Sequence, residues 1–151
     1  MKNIKPLLLT FLMLSVFALF SQETKTWETN YETALLKAKK ENKLILMNFS
    51  GSDWCANCIR LEKAVFTTDA FLTYSKDKFI LLRLDFPQRS KNKLSEEQTK
   101  HNEGLAEKFN PSGEFPLVII LSTDEKPIGK TGYVDGGAEP FIKTIEKIIK
   151  Q

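Results

Sequence analysis

The chain has 151 residues, a length that fits one domain with a single hydrophobic core. Its 42% hydrophobic and 27% charged residues are the proportions of an ordinary globular protein, so a largely disordered chain is excluded. The formal net charge is +3, but Lys2 and Lys5 precede the first acidic residue, Glu23, and without them 20 basic residues remain against 19 acidic ones. That balance gives no electrostatic reason to expect a nucleic-acid or membrane-surface partner.

The N-terminus has the pattern of a secretory signal peptide. A short basic stretch at residues 1–5 precedes an almost wholly apolar run of 14 residues at 7–20. That run is shorter than the roughly 20 residues needed to span a bilayer. We expect cleavage after Ser21, which gives a signal peptide over 1–21 and a mature domain over 22–151; an uncleaved membrane anchor is the alternative. Export would place the protein in the periplasm or outside the cell, and its cysteines outside the reducing cytosol.

Hydrophobic periodicity predicts that helices and strands alternate along the rest of the chain. In order, we expect a helix over 27–42, a strand over 43–49, a helix over 55–66 continued after a kink over 69–76, a strand over 79–85, a helix over 95–109, strands over 116–121 and 128–134, and a helix that starts near 140. Apolar residues at helical spacing predict the buried faces of three helices: Tyr31, Ala34, Leu35 and Ala38; Cys58, Leu61 and Val65; Phe141, Ile145 and Ile148. This alternation calls for an α/β fold in which a central sheet carries helices on both faces.

Polar residues mark the connections between these elements. Ser50 to Asp53 has turn chemistry, and we expect Ser52 or Asp53 to cap the helix that follows. The polar run over 88–93 predicts an exposed loop. His101 falls within the helix expected over 95–109, and we expect it to be a solvated helix residue.

The two cysteines of the chain, Cys55 and Cys58, form a Cys-x-x-Cys motif at the predicted start of a helix. Unpaired backbone N–H groups and the helix dipole stabilise a thiolate at the first cysteine, and the second lies one turn further on the same side. Disulfide exchange needs an acidified attacking thiol and a second thiol within reach of it. The spacing therefore predicts Cys55 as the nucleophile and Cys58 as the resolving thiol.

Two other interpretations of the motif remain open. A closed structural zinc site needs four ligands, whereas this chain has two cysteines and one histidine, His101, far along the sequence. A purely structural disulfide is common in exported proteins, but this one would close too small a loop to restrain the unfolded chain much. The position of the pair, after an apolar strand and a turn, favours redox chemistry without a metal.

The motifs around the cysteines resemble the thioredoxin superfamily. Trp54 directly precedes the pair, and Phe115-Pro116 stands at the head of a predicted strand. The chain is similar to exported thioredoxin-like proteins common in Bacteroidetes, which are related to the C-terminal domain of the thiol:disulfide interchange protein, over the segments 49–58, 65–66 and 84–87. The resemblance covers essentially the whole mature chain. It implies a thioredoxin fold, with a central mixed sheet of about four strands flanked by helices on both faces.

The resemblance also implies roles by position. The cysteines match the redox pair of the family, and Trp54 matches the tryptophan beside it. Pro116 matches a proline that is cis in this fold and packs against the disulfide; a trans proline that starts an edge strand is the alternative. Phe115 matches the residue whose backbone pairs with an extended substrate, and Gly132 falls near a small residue that helps to form the binding groove.

Two places depart from the thioredoxin pattern, and we expect both to tune the redox properties. A buried acid often lies under the second cysteine in thioredoxin, whereas the matching strand position here is Asn48. Its amide can form hydrogen bonds but cannot accept a proton as a carboxylate can. Between the cysteines, Ala56 and Asn57 stand in place of the familiar Gly-Pro.

The sequence thus predicts an exported thiol:disulfide oxidoreductase that exchanges disulfides with other exported proteins. The reductive direction rests on the resemblance alone. A membrane-bound redox partner would recycle the pair, and no metal, nucleotide or flavin is implied. The alternative is a thioredoxin-like adaptor or chaperone that binds extended peptides and keeps a non-catalytic disulfide.

Overall fold

The computed structural model of the protein describes residues 27–150, so the expected signal peptide over 1–21 lies outside the described residues. The elements are α1 (Tyr31–Glu41), β1 (Leu44–Ser50), α2 (Ala56–Leu61) with a π-helical turn (Glu62–Phe66), α3 (Asp69–Lys76), β2 (Phe79–Asp85), a 3-10 turn (Ser90–Asn92), α4 (Glu96–Phe109), β3 (Leu117–Leu121), β4 (Pro127–Thr131) and α5 (Ala138–Ile149). Across this described range, no helix is both long and apolar enough to cross a membrane.

Four strands form one mixed sheet in the order β2-β1-β3-β4. Strand β1 runs parallel to β2 and antiparallel to β3, and β3 runs antiparallel to β4. The register places Ser50 opposite Asp85, and Phe49 opposite Leu117. The carboxyl ends of β1 and β2 and the amino end of β3 therefore meet at one edge of the sheet. That edge carries both the cysteine motif, which follows β1, and Pro116, which precedes β3.

Both faces of the sheet pack against helices, as predicted. Side chains alternate between the faces of a strand: in β1, Ile45 and Met47 pack with α1 and α4, whereas Leu46 packs with α2, α3 and α5. The predicted helix faces are confirmed, since all of their residues are buried except Leu35, which is partly buried. Full burial of one such side chain stabilises the fold by about 1.5–3 kcal/mol. The two apolar layers thus hold the sheet edge in place.

Helix α1 begins at Tyr31, so the predicted start, four residues earlier, was wrong. Asn30 has an extended backbone, and its Oδ1 accepts the Thr33 N–H at 2.8 Å, which caps the helix at that point. The preceding residues pair with β2 instead, where the Glu28 N–H donates to the Leu81 carbonyl at 2.8 Å. A cap and a sheet partner therefore override the helical propensity of this segment.

The helix predicted over 55–66 is present, but its geometry changes part-way. Helix α2 starts at Ala56 and continues as the π-helical turn, which ends at Phe66 as predicted. Helix α3 is a separate helix because the Thr68 Oγ1 accepts the Phe71 N–H at 3.3 Å and caps it. At the other end of the chain, β4 ends at Thr131, three residues earlier than predicted.

Candidate active site

Cys55 and Cys58 are joined by a disulfide at the start of α2. Cys55 is the N-cap residue, and its Sγ accepts the Cys58 N–H at 3.2 Å. The Sγ of Cys58 accepts the Gly51 N–H at 3.4 Å. Cys55 is 7% exposed and Cys58 is 3% exposed, so the first cysteine is the more accessible of the two. A backbone amide that donates to the Cys55 sulfur also stabilises a thiolate there after reduction.

The turn before the cysteines does not cap α2, so the prediction for Ser52 and Asp53 was wrong. The cap position belongs to Cys55 itself. Ser52 instead donates from its backbone N–H and its Oγ to the Asp85 carboxylate, at 2.9 and 2.6 Å. The turn after β1 is thereby attached to the end of β2, its neighbour in the sheet.

Asp53 binds the loop that follows β2. Its carboxylate accepts the backbone N–H groups of Gln88 and Arg89 at 2.9 and 3.0 Å, and the Asn92 side-chain amide at 2.8 Å. These donors, chiefly the Gln88 amide, hold the pKa of Asp53 below its usual value. Three donors on one carboxylate fix the loop beside the cysteine motif.

Trp54 lies between that loop and Phe115. Its indole Nε1 donates to the Phe86 carbonyl at 2.7 Å, and its ring meets Phe115 edge to face with centroids 5.4 Å apart. The side chain nevertheless stays 41% exposed. A Cβ at Gly51 would overlap the Trp54 ring, so a larger residue at this position would displace the indole. Sequence reasoning treated Gly51 only as a turn residue and missed this contact.

The Phe115–Pro116 peptide bond is cis, as predicted. Pro116 is buried at the amino end of β3, at the same sheet edge as the cysteine motif. Phe115 is partly exposed and also packs on Phe86, with ring centroids 5.3 Å apart. A Cβ on Gly132 would lie 3.1 Å from the Pro116 carbonyl oxygen, so this glycine lets the chain after β4 approach closely.

The three residues expected to tune the redox pair lie in different surroundings. Asn48 is 3% exposed in β1, and alternation along the strand places it on the face that packs against α2. Its Oδ1 is buried and has no hydrogen-bond partner. Ala56 and Asn57 are both exposed, and the Asn57 Oδ1 accepts a hydrogen bond from Arg60 at 3.4 Å.

His101 is not a solvated helix residue, so that prediction was wrong. Its side chain is 17% exposed, and its Nε2 accepts the Tyr31 N–H at 3.0 Å at the start of α1. Its Nδ1 lies 3.0 Å from the Oδ1 of Asn102. Tyr31 lies 70 residues from His101 in the sequence, so no local pattern predicts this contact. Among residues 27–150, no group of three or more His, Cys, Asp or Glu side chains could hold a metal ion.

Asn102 is a second residue that sequence reasoning missed. It is buried in α4, and its Nδ2 donates to the Asp85 carbonyl at 2.8 Å. Its Oδ1 accepts from the Gln98 Nε2 at 2.8 Å. Asn102 thus holds α4 against the end of β2, next to the loop that Asp53 fixes.

The match to a protein family decides the classification of this site. Residues 26–122 match the model of a family described as thioredoxin-like, and this span is more than half of the chain. The chain belongs to the thioredoxin-like family. Together with the four-stranded mixed sheet, this confirms the fold that the sequence predicts.

Similar proteins of known class agree with this family assignment. The protein is 29% identical to the disulfide bond reductase DsbH of Chlamydia pneumoniae over 124 residues, which are 82% of this chain and 72% of DsbH. It is 29% identical to the thioredoxin-related protein DsbJ of the same organism over 137 residues, which are 87% of this chain but 38% of DsbJ. A solved structure of DsbH oxidoreductase has a TM-score of 0.76 at 27% identity, covering 83% of this chain and 84% of that one. The protein is a thiol:disulfide oxidoreductase of the thioredoxin fold, as predicted.

Proposed function

We propose that this oxidoreductase reduces disulfide bonds in exported proteins through Cys55 and Cys58. The observation that carries the proposal is the position of Cys55, which caps α2 and already accepts a backbone N–H on its sulfur. The similarity to a disulfide bond reductase supports the reductive direction. The signal-peptide pattern over 1–21, ahead of a domain over 22–151, supports action in the periplasm or outside the cell.

The proposed reaction is balanced in two exchange steps. The Cys55 thiolate attacks one sulfur of the substrate disulfide, which forms a mixed disulfide and releases the first substrate thiolate. The Cys58 thiolate then attacks the Cys55 sulfur, releases the second substrate thiolate and leaves the pair oxidised. The substrate gains two electrons from the pair, and a dithiol-bearing partner, membrane-bound in the cell, reduces the pair again with two electrons of its own and becomes a disulfide. The disulfide itself is the redox group in this scheme.

The residues around the pair receive separate roles in the proposal. Trp54 and Phe115 present aromatic surface beside the cysteines and contact the substrate, together with the backbone next to Pro116. Asn48 acts on the resolving cysteine. Its buried Oδ1 lacks a partner while the disulfide is closed, and the S–H that reduction creates on Cys58 is a donor that could satisfy it.

Insulin reduction by dithiothreitol tests this proposal, with two matched serine variants. We expect the wild type to accelerate the reduction and both Cys55→Ser and Cys58→Ser to lose the activity. Cys58→Ser should accumulate mixed disulfides with substrate proteins because the resolving thiol is missing, whereas Cys55→Ser should not. An inactive wild type, together with a Cys58→Ser variant that traps nothing, would contradict the proposal and favour a peptide-binding adaptor with an inert disulfide.

Export is tested on the same full-length chain in cells. Protein recovered from the periplasmic or external fraction should begin at Gln22 when its N-terminus is sequenced. A protein that still begins at Met1 in the membrane fraction would contradict cleavage and support an uncleaved anchor.

A further inference from the structure

The loop after β2 carries three positive charges next to the cysteine motif. Residues 88–93, which we call the basic loop, include Arg89, Lys91 and Lys93, and all three are exposed. Within residues 27–150, none of the three forms an ion pair. The loop itself contains no acidic residue. The fold therefore presents a local cluster of positive charge on a chain whose basic and acidic residues are otherwise nearly balanced.

Asp53 holds the basic loop beside the redox pair. Its carboxylate accepts the backbone N–H groups of Gln88 and Arg89 and the side-chain amide of Asn92. The Asn92 N–H also donates to the Arg89 carbonyl at 2.9 Å, which closes the 3-10 turn of the loop. The Gln88 amide first, and the charge of Arg89 in addition, lower the pKa of Asp53. The charge of the loop thus acts on the residue that lies two positions before Cys55.

We propose that the basic loop binds acidic residues of the substrate polypeptide, close in sequence to the disulfide that Cys55 attacks. This inference rests on the proposed function and adds a substrate class to it: exported polypeptides with aspartate or glutamate beside the reacting cysteine. Two residues of chain span at most about 7 Å, so the attachment at Asp53 keeps the loop near the Cys55 sulfur. Charges act over about 8 Å at physiological ionic strength, so the residues that flank a bound disulfide lie within their range.

Neighbouring carboxylates do not neutralise the whole cluster. Asp53 is directed at the loop backbone, and the carboxylate of Asp85 accepts both the N–H and the Oγ of Ser52. Glu103 lines the same cavity as Lys93 and offsets part of that charge. The other two cations of the loop do not line this cavity, and we expect them to contribute most to the attraction of an acidic substrate.

The size and place of the cluster favour a polypeptide over a membrane surface. Clusters that bind anionic lipid comprise about 4–8 basic residues, whereas the basic loop has three. A ligand bound here lies beside the redox pair, and a disulfide-bearing polypeptide is the molecule with which that pair reacts. Exposed charges raise the rate of encounter more than the affinity. The effect of the loop should therefore appear in the rate constant of reduction and depend on salt.

The test measures how fast the reduced protein reduces three short peptides whose single cysteine is disulfide-bonded to 2-mercaptoethanol. The two residues on each side of the cysteine are aspartate, serine or lysine, and the rest of each peptide is glycine. Cys55 attacks the mixed disulfide, Cys58 closes the protein disulfide, and the peptide and 2-mercaptoethanol leave as thiols, so two electrons pass from the protein to the peptide disulfide. Every rate is divided by the rate at which dithiothreitol reduces the same peptide, which removes the effect of charge on the disulfide itself.

We expect the aspartate peptide to react about tenfold faster than the serine peptide at an ionic strength of about 20 mM, and the lysine peptide to react more slowly than both. The negative Cys55 thiolate repels aspartate, so this acceleration requires positive charge elsewhere in the protein. At about 0.5 M ionic strength the aspartate-to-serine ratio should fall to about twofold or less, because salt screens exposed charges.

Two variants with the same change in net charge show whether the loop is responsible. The loop variant replaces its three basic residues by glutamine: Arg89→Gln, Lys91→Gln and Lys93→Gln. The control variant replaces three exposed lysines in the last turns of α1 and α3: Lys39→Gln, Lys40→Gln and Lys76→Gln. Both helices end just before a strand begins, at the sheet edge opposite to the cysteine motif. The loop variant should lower the aspartate-to-serine ratio to about twofold or less, and the control should keep it. Lys91→Gln alone should lower the ratio by about twofold and provides a second measurement if the loop variant does not fold.

The outcomes separate the basic loop from the exchange chemistry. A wild-type ratio below about threefold at low ionic strength would overturn the role of the loop, and so would a ratio that the loop variant and Lys91→Gln both retain. An equal loss in the control would also overturn it, because the net charge of the molecule would then select the substrate. A protein that does not reduce the serine peptide would refute the proposed function, and the assignment of the loop would fall with it.

Discussion

Two asparagines are buried to the same depth in this protein, and their surroundings differ. Asn102 is 2% exposed, and both ends of its amide are bonded, to Gln98 and to the Asp85 carbonyl. Asn48 is 3% exposed, and its Oδ1 has no hydrogen-bond partner. A buried acceptor without a partner costs about 1–3 kcal/mol. The first asparagine therefore stabilises the fold, whereas the second lowers the stability of the oxidised protein.

The positions of the two residues explain the difference. Asn102 joins α4 to the end of β2, and the fold needs this contact whether the cysteines are oxidised or reduced. Asn48 lies on the sheet face that packs against α2, the helix that carries the redox pair. Unfavourable local features are expected where function requires them. The same substitution at the two sites should therefore have opposite effects.

Asn102→Leu should produce the largest loss of stability. Leucine has a similar branched shape, but it removes the donor to the Asp85 carbonyl and one acceptor of the Gln98 Nε2, which still donates to the Thr29 carbonyl. We expect the free energy of unfolding to fall by about 2–4 kcal/mol, measured by urea denaturation of the oxidised protein. Asn57→Leu at an exposed position is the matched control and should change it by about 0.5 kcal/mol or less. If Asn102→Leu lowers the free energy of unfolding by less than about 1 kcal/mol, the proposed contrast between Asn102 and Asn48 is contradicted.

Asn48→Leu should stabilise the oxidised protein by about 1 kcal/mol because it removes the unpaired Oδ1. If that oxygen finds a partner only after reduction, the variant also loses a contact of the reduced form. Both effects favour the disulfide, so the reduction potential should become more negative by about 20–30 mV. Equilibration with a dithiothreitol redox buffer measures this shift. A less stable protein, or a more positive potential, would contradict the role of Asn48.

His101→Ala should lower the free energy of unfolding by a smaller amount. It also shows whether the hydrogen bonds of Asn102 depend on those of His101. The variant removes the acceptor for the Tyr31 N–H at the start of α1, which we expect to cost about 1 kcal/mol. His101 and Asn102 are in contact, so the double variant should be non-additive by about 0.5 kcal/mol or more. Urea denaturation of the two single variants and the double variant measures the coupling. Strict additivity would mean that the two side chains act independently.

Asp53→Ala should cause the smallest loss of folding stability, and that loss should depend on pH. The pKa of Asp53 is lowered by its donors, first the Gln88 amide, so the folded state prefers the carboxylate. The stabilisation is therefore present above the ordinary Asp pKa of about 3.9 and disappears as the pH falls through the lower folded value. Thermal melts should give a higher melting temperature for the wild type than for Asp53→Ala at pH 7, and the difference should disappear below about pH 4. Asp124→Ala, in a turn, should show no such difference.

The sequence predicted the elements of this fold wherever a local pattern determines them. Apolar spacing located the buried face of α1, and the run from Phe79 to Asp85 matches β2 at both ends. The cysteine spacing located the pair that forms the disulfide, and the resemblance to thioredoxin at Phe115-Pro116 implied the cis proline. Asn48 was found through the same resemblance, because it occupies the strand position of the buried acid in thioredoxin.

The rest depends on contacts between residues that are distant in sequence. Asp53 was expected to cap a helix, but its partners lie 35 to 39 residues further along, in a loop without periodicity. His101 was expected in solvent, but its partner Tyr31 is 70 residues away. The cavity of about 390 Å³ beside Trp54 is lined by the turn after β1, the loop after β2, α4 and the residue before β3, so no single segment of the sequence predicts it.

Alkylation of the reduced protein tests most directly the claim that the two cysteines are unequal. Iodoacetamide is added at a series of pH values, and the modified cysteine is identified by mass mapping. We expect Cys55 to be modified at least about tenfold faster, with an apparent pKa below the usual value of about 8.5, because it is the more exposed residue of the two and its sulfur accepts a helix N–H. Modification of Cys58 first, or equal rates with an ordinary thiol pKa at both positions, would contradict the account.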